Sequence, residues 1–95
     1  MDTESLLAVG ERGTHLLFDT PTIAEAFSQD ARELEAVVRG DGAGVERAIR
    51  DLLAQPSCAA AREFVDALPR TFRYVIVLLY FELLEGRVRR HCALH

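Results

Sequence analysis

The sequence predicts an all-α fold, a compact bundle of four helices in which the last and most apolar helix is central. Three observations carry this expectation. Apolar residues recur at helical spacing in stretches bounded by glycine or proline. Helix-start and helix-stop residues flank these stretches, Thr20-Pro21-Thr22 and Ser57 at starts and Gly40 and Pro56 at ends. Between Tyr74 and Leu84 the only charged residue is Glu82, and a helix apolar nearly all round is buried on most sides. Ninety-five residues suit one domain, and residues 1–95 are read as a single unit. It consists of an N-terminal arm or docking loop over 1–20, helices over about 21–39, 44–54, 57–68 and 70–86 or beyond, and a basic tail over 87–95.

In chain order, Leu6, Leu7 and Val9 allow a short helical turn that Gly10-Glu-Arg-Gly13 should break. His15-Leu-Leu-Phe18 is too short for its period to separate strand from loop. The favoured reading is a loop whose Leu16, Leu17 and Phe18 pack onto the helices. Thr20-Pro21-Thr22 opens the first helix, since proline is tolerated in a first turn and Thr22 with Glu25 has the form of a capping box. Ile23, Phe27, Leu34 and Val38 then form an inward stripe with Ala31, and Gly40 ends the helix.

Asp41-Gly-Ala-Gly44 reads as a tight turn. It is not a phosphate loop, because no Gly-Lys-Ser/Thr follows it. Val45, Ile49, Leu52 and Leu53 make the second helix, with Glu46 and Arg50 as an exposed pair worth ~0.3 kcal/mol. Pro56 stops it and Ser57 caps the third helix. That helix carries Cys58, Ala61, Phe64, Val65 and Leu68 on one side. Pro69 separates it from the last helix. There the Val75-Ile76-Val77 triplet favours strand, but the continuation through Leu-Leu-Tyr-Phe-Glu-Leu-Leu favours helix. Gly86 either ends or weakens that helix.

Composition bounds function. All eleven basic residues are arginine, and the net charge of −4 argues against a general nucleic-acid binder. The balance is uneven. Residues 1–68 hold thirteen acids and six arginines, a net −7, whereas residues 69–95 hold five arginines and two acids, a net +3. The acidic opening Met-Asp-Thr-Glu-Ser fits neither a secretory nor a mitochondrial signal, and two cysteines make no disulfide framework. A cytoplasmic location is therefore expected. The apolar run Tyr74–Phe81 is far short of the ~20 residues a membrane span needs.

The chemical candidates are few. His91 and His95, four residues apart, could hold zinc with Cys92 or Cys58, but the spacing matches no common finger. No cofactor is expected. Cys58 is placed on an apolar helix face, where cysteine behaves as a small hydrophobe. Glu33 and Glu35 point to different faces and should be solvated. His15 is read as a surface or capping histidine. No nucleophile stands beside an oriented base, so an enzyme is not expected. Phe64, Phe72, Tyr74, Tyr80 and Phe81 are read as core, with the two tyrosine hydroxyls needing partners at an edge.

Ala67-Leu-Pro-Arg-Thr-Phe-Arg-Tyr-Val-Ile-Val-Leu-Leu-Tyr-Phe-Glu-Leu-Leu84 resembles the first helix of the C-terminal DNA-binding region of bacterial sigma factors. In that family a Leu-Pro pair opens a helix with an arginine, several aliphatics and an aromatic-acid ending. The resemblance covers eighteen residues of general helix composition. The family next needs a recognition helix, for which Glu85–His95 leave no room. The resemblance thus implies a remnant or mimic retained for protein contact, not for DNA reading.

The expected function is a non-enzymatic protein–protein interaction module, a small regulator, inhibitor or adaptor acting through helix–helix contacts and self-associating as a homodimer. Its expected partner surface is Tyr74, Val77, Leu78, Tyr80, Phe81 and Leu84. A transcription-linked regulator with a degenerate sigma-like helix, or a bundle binding an apolar ligand or metal, are the alternatives.

Overall fold

A computed structural model describes residues 3–93, and their side chains through residue 90. Among the described residues six helices follow one another: α1 (Thr3–Glu11), α2 (Thr20–Phe27), α3 (Ala31–Gly40), α4 (Gly42–Leu53), α5 (Cys58–Ala67) and α6 (Arg70–Ala93). No strand occurs among the described residues. The all-α class stands. The four-helix count is corrected to six, because the N-terminal arm holds a helix and the expected helix over 21–39 is two.

α1 runs through Gly10 and stops later than the sequence suggests. Its end is made at Gly13, whose N–H donates to the Gly10 carbonyl at 2.9 Å and whose φ of +90° suits glycine. Residues 15–18 form a loop, and Leu17 and Phe18 are buried beneath it.

α2 begins at Asp19, whose Oδ1 accepts the Thr22 N–H at 2.8 Å, with Pro21 in the first turn. The Thr22–Glu25 capping box is not used, since Asp19 already holds the Thr22 N–H. The break after Phe27 has a local cause. The Ser28 hydroxyl and the Gln29 amide both donate to the Glu25 carbonyl, at 2.7 and 2.9 Å. Asp30 then accepts the Arg32 N–H at 2.9 Å and starts a new helix. Splitting the helix rotates its two halves out of register. Ala26 and Leu34 point inward, whereas Phe27 and Val38, expected on the inward stripe, are 59% and 41% exposed.

A single residue joins α3 to α4. Asp41 donates its N–H to the Val37 carbonyl at 2.9 Å and accepts the Gly44 N–H at 3.1 Å, closing one helix and opening the next. Gly42 and Gly44 belong to the first turn of α4, and the expected turn over 41–44 shrinks to Asp41. Ser57 caps α5 as expected, accepting the Ala60 N–H at 3.1 Å. Cys58 is exposed and not on the apolar face, which is formed by Ala61 and Val65. At Pro69 the chain turns into α6, and the Arg73 guanidinium returns to donate to the Asp66 and Leu68 carbonyls at 3.1 and 3.2 Å.

α6 continues through Gly86, and α1, α2, α3 and α4 all pack on it. α5 packs on α4. Four consecutive residues, Tyr74, Val75, Ile76 and Val77, are buried, so one whole turn of α6 is enclosed on every side. Further along, enclosure fails: Glu82 and Leu83 are exposed, Leu84 is buried, and Val88 is exposed. No helix among the described residues is long and apolar enough to cross a membrane.

This packing can be tested at two places. Val77, fully buried, and Leu83, 56% exposed, share a helix. Val77→Ala should destabilise the fold by roughly 2 kcal/mol through lost burial and the cavity left behind, and Leu83→Ala by less than about 0.5 kcal/mol, read by urea unfolding. Equal losses would refute the enclosure of α6. The second place is Asp19, whose carboxyl is held below its ordinary value of 3.8 by hydrogen bonds from the Thr22 side chain and backbone. Its contribution is present above that value and is lost as pH falls through the lowered one. Comparing melting temperatures of wild type and Asp19→Asn, the gap seen at neutral pH should close in acid; a gap independent of pH would contradict the cap.

Candidate functional site

The expected partner surface divides into two groups. Tyr74, Val77, Tyr80 and Leu84 are buried within the chain, whereas Leu78 and Phe81 are half-buried and reach the surface. The buried tyrosines solve their hydroxyl problem at the edge of the core. The Tyr74 hydroxyl donates to Glu25 Oε2 at 2.9 Å, tying α6 to α2. Burial and then the hydrogen bond to Glu25 raise its pKa. The Tyr80 hydroxyl lies 2.8 Å from His15 Nδ1, and burial raises its pKa as well.

His15 is therefore neither a capping nor a plain surface residue. It is half-buried, and its ring meets Tyr80 and Phe81 edge-on at centroid distances of 5.6 and 4.9 Å. Phe18 adds a third edge contact to Tyr80 at 5.4 Å. α1 crosses this cluster at Gly10, where an added Cβ would overlap the Tyr80 hydroxyl and press on Leu84. The helix is pinned there by Arg87 of α6, which pairs with Glu4 and with Glu11, the latter at 3.2 Å. These polar groups tie α1, α2 and the 15–18 loop to α6.

The surface itself lies where α2, α3 and α6 meet. Two clefts adjoin, sharing Leu78 and Glu82. One, of about 440 Å³, runs between α3 and α6 past Leu34, Val38, Val75 and Leu79. The other, of about 470 Å³, lies beside Phe27, Phe81, Leu84 and Val88. The Phe27 ring meets Phe81 edge-on at 5.4 Å, so the exposed ring extends the apolar floor instead of standing alone. Phe27, Val38 and Val88 are the members that sequence reasoning missed. The available signal was Ser28-Gln29-Asp30, a run of residues that hydrogen-bond their own backbone, which marks the shift of helical phase.

His91 and Cys92 lie in α6 but their side chains fall outside the described residues, as does His95 entirely. Among the described residues no cluster of three or more histidine, cysteine or acidic side chains could hold a metal. Glu33 and Glu35 are both exposed. A third, smaller space of about 90 Å³ lies between α1, α4, α6 and the 17–18 loop. No protein-family model, curated protein or solved structure matches the chain.

The crossing at Gly10 gives a double-mutant test. In an ordinary helix Gly→Ala gains about 1 kcal/mol. Here Gly10→Ala should instead destabilise by roughly 1–3 kcal/mol, as overpacking does. Tyr80→Phe should lose about 1 kcal/mol with its hydrogen bond. The double variant should be less damaged than the sum by at least about 0.5 kcal/mol, because the hydroxyl that the added methyl group strikes is gone. Additive losses in chemical denaturation would show that Gly10 is not there to admit Tyr80.

Proposed function

We propose that the chain is a non-enzymatic protein–protein interaction module, a small regulator, inhibitor or adaptor that works through helix–helix contacts. The observation that supports this reading is the apolar face where α2, α3 and α6 meet. Phe27 at 59% and Val88 at 41% exposure stand on one side of the half-buried Leu78 and Phe81, with Val38 on the other. Single exposed apolar residues are ordinary, but a contiguous apolar floor between helices is what a partner helix covers. The alternative of a bundle that holds an apolar ligand is less favoured by the geometry. The space between α1, α4 and α6 is only about 90 Å³, small against the ~300 Å³ and upward of typical ligand pockets, and the larger clefts are open to solvent.

A second copy of the chain is one partner that this reading admits, in a homodimer. Sedimentation equilibrium at micromolar concentration tests it, with a strict monomer removing the homodimer. The face itself is tested by comparing Phe27→Asp with Val77→Asp in the same assays. Phe27→Asp should leave the thermal unfolding midpoint within a few degrees of wild type and weaken association by tenfold or more (about 1.4 kcal/mol). Val77→Asp should unfold the chain. A folded Phe27→Asp variant that associates as the wild type does would remove the face from the proposal.

A further inference from the structure

The rim of the α2–α3–α6 face carries a sign. Among the described residues lining its two clefts stand three carboxylates, Glu35, Glu82 and Glu85, and one guanidinium, Arg39. All four are exposed. Along α6 the residues Leu78, Phe81, Glu85 and Val88 follow the 3–4–3 spacing of a helix-packing seam, and Glu82 lies on its flank. An acid therefore sits within the apolar seam and another beside it. A second copy docking α6 against α6 in parallel about this seam would bring the Glu82–Glu85 rims together, and like charges at a contact are strongly disfavoured. An apolar partner helix with neutral flanks would desolvate both carboxylates without compensation. A helix with basic flanks avoids both penalties.

We propose that this face takes an amphipathic helix of a partner protein, with an apolar stripe that meets Phe27, Leu78 and Phe81 and with lysine or arginine flanks that meet Glu35, Glu82 and Glu85. The inference rests on the interaction-module reading and specifies its partner. The apolar floor supplies the contact area, and the acidic rim selects the charge of the partner and speeds its approach.

The test uses the full chain and two synthetic helices that share a leucine stripe at i, i+3, i+4 and i+7, one flanked by lysine and one by glutamate, each labelled for fluorescence anisotropy. Circular dichroism and a thermal melt confirm that each protein variant is folded. Wild type should bind the lysine helix about tenfold or more tightly than the glutamate helix, and added salt should narrow the difference. Glu82→Lys/Glu85→Lys should reverse the preference. Phe27→Asp, which keeps the acidic rim, should lose the lysine helix; unchanged affinity there would reduce the binding to bulk charge attraction and overturn the proposal. Equal binding of both helices, or binding of neither, overturns it as well. If neither binds and the wild type sediments as a dimer that Phe27→Asp dissociates, a second copy covers the face and the interaction-module reading survives without this partner. If neither binds and the chain is a strict monomer, this partner and the homodimer both fall.

Discussion

The structure depends on enclosing one turn of α6. Tyr74, Val75, Ile76 and Val77 point to all sides of the helix, and each is buried. A helix with no polar side cannot lie on the surface of a bundle, so other helices must be arranged around it. α1, α2, α3 and α4 provide that sheath, and α5 braces α4 from outside. The short connections follow from the same demand. Asp41 alone turns α3 into α4, and Ser28-Gln29-Asp30 turn α2 into α3, so successive helices can take different sides of a single central rod.

A central helix made almost wholly of apolar residues gives little orientation to its neighbours, since burial is non-directional. The polar contacts supply what burial does not. Tyr74 bonds Glu25 and sets where α2 lies along α6. Tyr80 bonds His15 and fixes the loop that follows α1. Arg87 reaches Glu4 in the first turn of α1 and Glu11 at its last residue, and so holds that helix along its length. Gly10 permits close approach at the middle of that crossing. Each tyrosine thus buries its ring in the core and uses its hydroxyl to register a neighbouring element. The sequence identifies both hydroxyls as needing partners at an edge, and those partners are His15 and Glu25 of the same chain.

What could be read from the sequence follows from how local each signal is. The helical class, the central place of α6, the Ser57 cap and the buried loop at Leu17 and Phe18 all depend on nearby residues or on overall hydrophobicity. The split after Phe27 was missed because Ser28-Gln29-Asp30 contains no glycine or proline, and its breaking power depends on which side-chain bonds form. Missing it placed Phe27 and Val38 in the core and hid the surface they help form. In the sequence Gly10 reads as a breaker, because glycine usually is one. Its role becomes visible only once Tyr80, far along the chain, is brought against it. The surface residues were misjudged for a related reason: hydrophobicity alone ranks Val77 and Phe81 alike, while enclosure separates them.

The lengths of the helices explain why an apolar face is left over. At ~1.5 Å per residue α6 spans ~36 Å, whereas α2 and α3 span ~12 and ~15 Å. Two short helices placed along one side of a longer rod cover it near Tyr74–Val77 and run out before Val88. The apolar sequence of α6 does not run out at the same point, since Leu78, Phe81, Leu84 and Val88 continue. The break that shortens α2 also turns Phe27 outward onto Phe81, so one local event both ends the cover and adds an aromatic ring to the uncovered floor. The acids then enter α6 where its enclosure ends, at Glu82 and Glu85. A carboxylate nearer Tyr74 would be buried at a large desolvation cost, whereas at these positions it remains in water. The charge on the rim and the apolar floor beside it thus arise from the same mismatch in helix length, and a partner for this face must answer both.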